Sequence, residues 1–201
     1  SIGEPDIFPL MRNILRTVIQ KDLPKIAKIP LDEVTLIEDM ISFIGKSEVD
    51  GINYSSLSKN LGITKYKARS FVELLSSAFI LQRIMPAGTN VMKEPKIVLA
   101  PPFRLLFKDY LDAIGGLRED MFVEMLSSAR LRFDYLKTTR GGKIPDYQVY
   151  DGDERYIVEI GGKGKGREQF KGITGKKEVI FTHSDRIDGI RRPLMLAGYM
   201  Q

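Results

Sequence analysis

The hexapeptide Tyr150–Arg155, YDGDER, constrains this chain more than any other stretch. Gly152 and Asp153 stand between two apolar runs, and glycine in the first position of a two-residue loop suits a type II′ hairpin turn. Such a turn pins the register: Asp151 faces Glu154, Val149 faces Tyr156, and Tyr147 faces Val158. Asp146 then lies directly opposite Glu159, with Cβ atoms about 4.5–5.5 Å apart. Tyr147, Val149, Tyr156, Val158 and Ile160 share the other face, which reads as the core side. A one-residue slip would separate the two acids.

Opposed carboxylates repel, so something must offset them. A divalent cation, a shared proton, or a nearby cation such as Lys143 or Lys163 would each serve. Oxygen ligands of this kind suit Mg²⁺ or Mn²⁺. A solvated strand face, screened by water and lysines, is the plainer alternative. A third acid comes from LREDMFVEMLSSA, whose apolar side is built from Met121, Phe122, Met125, Leu126 and Ala129. At 100° per residue Glu119 borders that side, while Asp120 and Glu124 fall on the solvent side.

Composition narrows the chemistry. The 201 residues contain no cysteine and one histidine, His183. Disulfides, thiolate metal sites and multi-histidine metal sites are therefore excluded. His183 ends an apolar strand and reads as a hydrogen-bonded structural residue. No stretch approaches the roughly 18 apolar residues of a membrane span, and no secretory signal is present, so the expectation is a cytoplasmic protein with no membrane role. The start at serine suggests a piece of a longer chain. A net charge of +5 admits an acidic partner such as DNA.

Along the chain, FPLMRNILRTVIQK at 8–21 has helical apolar spacing, with Pro24 expected to stop it. DEVTLIEDMISFIG at 32–45 repeats that spacing and ends on Gly45, a candidate C-terminal cap. In 54–84, Ser55 or Ser56 is placed to cap a short helix, Gly62 to break it, and Thr64 to cap a longer one carrying Ala68, Phe71, Val72, Leu75 and Phe79. Two helices around LGIT predict a helix-turn-helix, and the strand-like FILQRIM and KIVLA beyond them predict a wing. Pro101-Pro102 marks a boundary. FRLLFKDYLDAI reads as a helix ended by Gly115-Gly116. A helix at 117–130, the hairpin at 144–161, a strand at 177–183 and a last helix near 189–199 then predict an α/β unit, making the whole chain α+β. The expected organisation is an N-terminal helical segment at 1–30, a winged helix at 31–102 and an α/β domain at 103–201.

The order Glu119, Pro145-Asp146 and VEIGGK at 158–163 resembles the PD-(D/E)xK nuclease-like fold, also known as restriction-endonuclease-like. More of the chain, from ILRTVIQKDLPKI through IPDYQVYDGDERYIVEIGGKGKGREQF, is similar to the C-terminal half of prokaryotic AAA-type ATPases. There an ATPase module precedes a winged helix and a nuclease-like domain. The resemblance implies Mg²⁺ (or Mn²⁺) on Asp146 and Glu159, Glu119 as a third catalytic acid, and a lysine two residues after the glutamate that positions the attacking water. That position here is Gly161. Lys163 has the same strand parity and is the candidate in its place.

Two readings of function result. In the first, this is a DNA-associated ATPase module, with Lys65, Lys67 and Arg69 of the recognition helix and Lys163, Lys165, Arg167 and Lys171 of the basic run meeting phosphates. If active, its acid site would hydrolyse phosphodiesters. Lys93 and Lys96 would add to the wing, while Glu73 opposes DNA contact. In the second, it is a non-catalytic module that docks a protein partner, the ATPase module or a second copy of itself. No phosphate-binding G-x-x-x-x-G-K-[ST] occurs, so this chain alone is not expected to hydrolyse ATP.

Overall fold

The computed structural model describes residues 4–88, 94–136, 144–162, 170 and 177–199. The chain is α+β: helices first, then a mixed sheet. It divides into two compact units, Ser1–Arg83 with Ile97–Gly116, and Ile84–Lys96 with Leu117–Gln201. A winged-helix arrangement lies in the helical part and the five-stranded sheet lies in the second unit.

In the first unit α1 spans Glu4–Thr17, passes through a π-helical turn at Val18–Asp22, and continues as α2 over Leu23–Ala27. Pro24 does not stop the helix. It sits in the first turn of α2, directly after the π-helical turn, and the chain instead turns at Lys28 in the left-handed region. Helix α3, Leu31–Lys46, buries Val34, Ile37, Met40, Ile41 and Ile44. Gly45 is not its cap but lies inside it: a Cβ there would meet the Phe107 ring at 2.3 Å. The buried Arg104 guanidinium donates to the carbonyls of Ile44, Gly45 and Ser47, meeting acceptors that the end of α3 leaves without helical partners.

Helix α4, Tyr54–Leu61, is capped by Asn53 rather than by Ser55 or Ser56. Asn53 Oδ1 accepts from the Ser56 N–H at 2.9 Å while Ser56 Oγ accepts from the Asn53 N–H at 2.9 Å, a reciprocal capping box. Gly62, at φ +64, ends α4 in a conformation that few side chains tolerate. Helix α5, Lys65–Ser77, starts at Thr64, whose hydroxyl accepts the Lys67 N–H at 3.1 Å as the sequence predicts. Strands β1, Leu81–Ile84, and β2, Lys96–Leu99, pair as a two-stranded sheet. Leu15, Ile19 and Leu23 join the apolar residues of α3, α4 and α5 in one core.

Gly115-Gly116 does not end a helix. After a 3₁₀ turn at Phe103–Leu106, α6 runs unbroken from Tyr110 to Ser128. A Cβ on Gly116 would lie 2.7 Å from Arg104 Nε, so the glycine serves close packing rather than termination. The division into units falls at Gly116.

In the second unit the sheet order is β3-β4-β5-β6-β7: β3 Arg132–Tyr135, β4 Tyr147–Asp151, β5 Glu154–Gly161, β6 Lys177–Thr182 and β7 Arg191–Pro193. β3, β4 and β5 are antiparallel neighbours, whereas β5, β6 and β7 run parallel. The hairpin register is the expected one, Asp151 facing Glu154 and Tyr147 facing Val158, with Gly152 at φ +54. Strands β3 and β7 lie where the sequence reading places none. The predicted last helix is β7 and then a 3₁₀ stretch at Leu194–Tyr199. Among the described residues no helix is long and apolar enough to cross a membrane.

Candidate functional site

The site draws on Lys96 at the start of β2, Glu119 of α6, Asp146 just before β4 and Glu159 of β5, four residues that all belong to the second unit. Both faces of the β4–β5 hairpin are covered. Tyr147, Val149 and Val158 are fully buried on one face, with Tyr147 packed on Phe122 of α6. Ile157 is buried on the other, against Phe170 and Ile180. The solvated-face alternative therefore fails: Glu159 is 1% exposed and Asp146 is partly buried. A parallel strand beside β5 is what buries that face, since parallel neighbours bring chain to both sides.

Asp146 immediately precedes β4. Its Oδ2 accepts the Ile160 N–H at 2.7 Å. Burial pushes its carboxyl up to about 7, the negative charges of Glu159 and, less strongly, Glu119 add to the rise, and the Ile160 N–H and Lys96 pull it back. Asp146 therefore feels the charges of Glu159, Glu119 and Lys96, whereas the direct contact among these groups is the pair of Lys96 with Glu119.

Glu119 points inward from α6, as its border position predicts. One of its oxygens accepts from the Tyr147 hydroxyl and from the Lys96 ammonium. Asp120, expected toward solvent, is instead fully buried. The reason is that Val123, with Phe122 and Leu126, carries the packed side, rotating the buried face toward Asp120 and leaving Met121 45% exposed. Apolar residues surround much of this helix, so periodicity marks no sharp stripe.

Lys96 is the residue that sequence reasoning misplaced. Expected on the wing as a phosphate contact, it is 8% exposed, joined to Glu119 and 5.5 Å from the Tyr147 ring centroid. The expected wing is engaged too. Tyr135 of β3 donates its N–H to the Met85 carbonyl and accepts from the Ala87 N–H, both at 2.9 Å. Its hydroxyl donates to the Glu94 carbonyl at 2.8 Å. No spacing rule reveals such a tertiary pairing; the only signal is a lysine opening an otherwise apolar run.

A magnesium ion takes one or two carboxylates and completes its shell with water and phosphate oxygens. Asp146 and Glu159 supply two carboxylates, but Glu119 is engaged by Lys96 and Tyr147, and Asp146 by Ile160. Among the described residues no group of three or more acids or histidines is arranged to hold a metal ion. As it stands, Glu119 is held in an ion pair with Lys96 rather than offered to a metal.

Lys143, Lys163, Lys165, Arg167 and Lys171 lie outside the described residues. His183 is exposed rather than built into the fold, because β6 ends one residue before it.

On α5, Lys65 and Arg69 are exposed and Tyr66 is 83% exposed. Lys67 pairs with Glu33 at 2.8 Å. Arg69 lies 2.9 Å from Glu73, whose carboxyl is held below the usual range chiefly by that hydrogen bond, and Arg83 approaches the same oxygen at 3.3 Å. The acid expected to oppose DNA is thus shared between two arginines.

A family model described as Domain of unknown function (DUF8612) matches residues 3–109, and the chain belongs to that family. Among curated proteins no significant match exists. A solved structure titled "Crystal structure of S. aureus MepR-DNA complex" shares 11% identity at a TM-score of 0.33, covering 62% of this chain and 85% of that chain. A likeness of that size carries no argument.

Proposed function

We propose that this member of the DUF8612 family is a DNA-associated module. In this reading its first unit meets duplex DNA through the start of α5, and its second unit is a nuclease-like frame that no longer cuts. The observation that carries the reading is the N-terminus of α5. A side-chain cap at Thr64 leads into exposed Lys65, Tyr66 and Arg69, and the acids Glu33 and Glu73 are engaged by Lys67, Arg69 and Arg83. A helix N-terminus with cations in its first turns suits phosphate contact and groove entry. Its place beside an ATPase module remains part of the proposal, supported by the order of the sequence segments. For the second unit, the support is the Glu119–Lys96 pair together with Gly161 where the resemblance expects lysine.

Fluorescence anisotropy with a labelled duplex tests the first part. Lys65→Glu combined with Arg69→Glu should weaken binding at least tenfold at low salt, with the fold intact by circular dichroism. Unchanged affinity removes α5 from the interface. For the second part, plasmid incubated with 5–10 mM MgCl₂ should stay uncut. Cleavage that disappears in both Asp146→Asn and Glu159→Gln would restore the catalytic reading.

One observation favours the second reading, a protein-docking role. Ile7, Leu10 and Ile14 recur at helical spacing on α1 and are each 42–48% exposed. Light scattering of the purified chain, compared with Leu10→Glu, decides whether that stripe mediates self-association.

A further inference from the structure

Glu73 shares the outer face of α5 with the exposed Tyr66, Arg69, Ser70 and Ser77. Its Oε1 accepts the Arg69 Nε–H at 2.9 Å and an N–H from Nη1 of Arg83, on β1, at 3.3 Å. One carboxylate thus holds two guanidinium groups, and the group of three keeps a net positive charge. Both arginines are exposed, and both belong to the first unit. Exposed ion pairs add little to stability, because water competes for them and ordering two long side chains opposes them. Fixing where both cations stand is a different use. Each contact occupies one of the five N–H groups that a guanidinium carries. A planar fork held in place suits phosphate oxygens, which it can meet in pairs.

We propose that Arg69 and Arg83, both held on Glu73, form a phosphate-binding pair for the backbone of duplex DNA, with Glu73 as its positioning residue. The proposal rests on the α5 reading and deepens it. It adds Arg83 to the interface and reverses the sign expected of Glu73. An acid that merely sits on a DNA-facing surface repels phosphate, so replacing it with a neutral residue tightens binding. An acid that orders two arginines does the opposite, because the side chains are already placed when the DNA arrives.

Fluorescence anisotropy with a labelled duplex over a salt series tests it, each variant being checked for the wild-type fold by circular dichroism. Arg83→Ala should weaken binding and flatten the slope of log K against log salt by about 0.9, one phosphate contact. Glu73→Ala removes a negative charge, yet it should weaken binding about threefold or more, because two side chains must then be ordered on binding. In a chain that already carries Arg69→Ala and Arg83→Ala, the same substitution should no longer weaken binding, since no arginine is left to place. A merely structural role for Glu73 would give equal losses in both backgrounds. Equal losses, tighter or unchanged binding by Glu73→Ala, or an Arg83→Ala slope equal to that of wild type would each overturn the proposal. Where wild type binds and Lys65→Glu with Arg69→Glu weakens it, those results remove this proposal alone. No binding by wild type at low salt removes it together with the α5 reading.

Discussion

Asp146 couples the stability of the fold to pH. Its carboxyl is raised to about 7, first by burial and then by Glu159, so the folded chain holds a proton that the unfolded chain has released. Below about pH 4 both states are protonated and the group contributes nothing. Between about pH 4 and 7 stability falls as pH rises, and above pH 7 the full penalty remains. Asp146→Asn can still accept from the Ile160 N–H but never ionises. It should therefore be more stable than wild type at pH 8 by about 1–3 kcal/mol, with the advantage fading toward pH 4. Urea titrations at pH 4.5 and 8 in a chelating buffer check this; a pH-independent difference would refute it. At Gly45 sterics decide instead. Helix propensity alone would favour Gly45→Ala by about 1 kcal/mol. The Phe107 ring, 2.3 Å from the added Cβ, should win, giving a net loss of about 1–3 kcal/mol in urea unfolding.

Several elements were legible where local chemistry chose them. Thr64 as a cap, Gly62 as a helix end and the Gly152-Asp153 turn each rest on one residue's backbone preference or hydrogen bond, and each is found where it was read. Elements chosen by packing were not legible. The cap of α4 is a local feature that was missed: Asn53 takes it from Ser55 and Ser56 because its reciprocal partner, Ser56, stands three residues on. Asn53→Ala should cost about 1 kcal/mol, measured as a drop in the urea midpoint. Helix α6 crosses Gly115-Gly116 because glycine weakens a helix by only about 1 kcal/mol, less than its continued packing supplies. Strands β3 and β7 are short, four and three residues, and carry charges; they are strands because β4 and β6 offer open edges.

For the molecule as a whole, the net charge of +5 has a measurable counterpart in salt dependence. Each phosphate neutralised contributes about −0.9 to the slope of log K against log salt on duplex DNA. Three α5 cations would give roughly −3, and joining Lys163, Lys165, Arg167 and Lys171 would steepen it toward about −6. A slope between these values is the expected result, and a flat dependence would contradict a DNA role. The amino-acid order alone dictates the α+β class, the helix-turn-helix and the hairpin register from Tyr147–Val158 to Asp151–Glu154. These depend on neighbours along the chain, through turn geometry, caps and the alternation of apolar residues. The burial of the hairpin's acid face, the inward turn of Asp120 and the delivery of Lys96 to Glu119 all required the folded chain. They depend on residues dozens of positions apart, where desolvation and charge pairing decide the outcome and no local pattern records it.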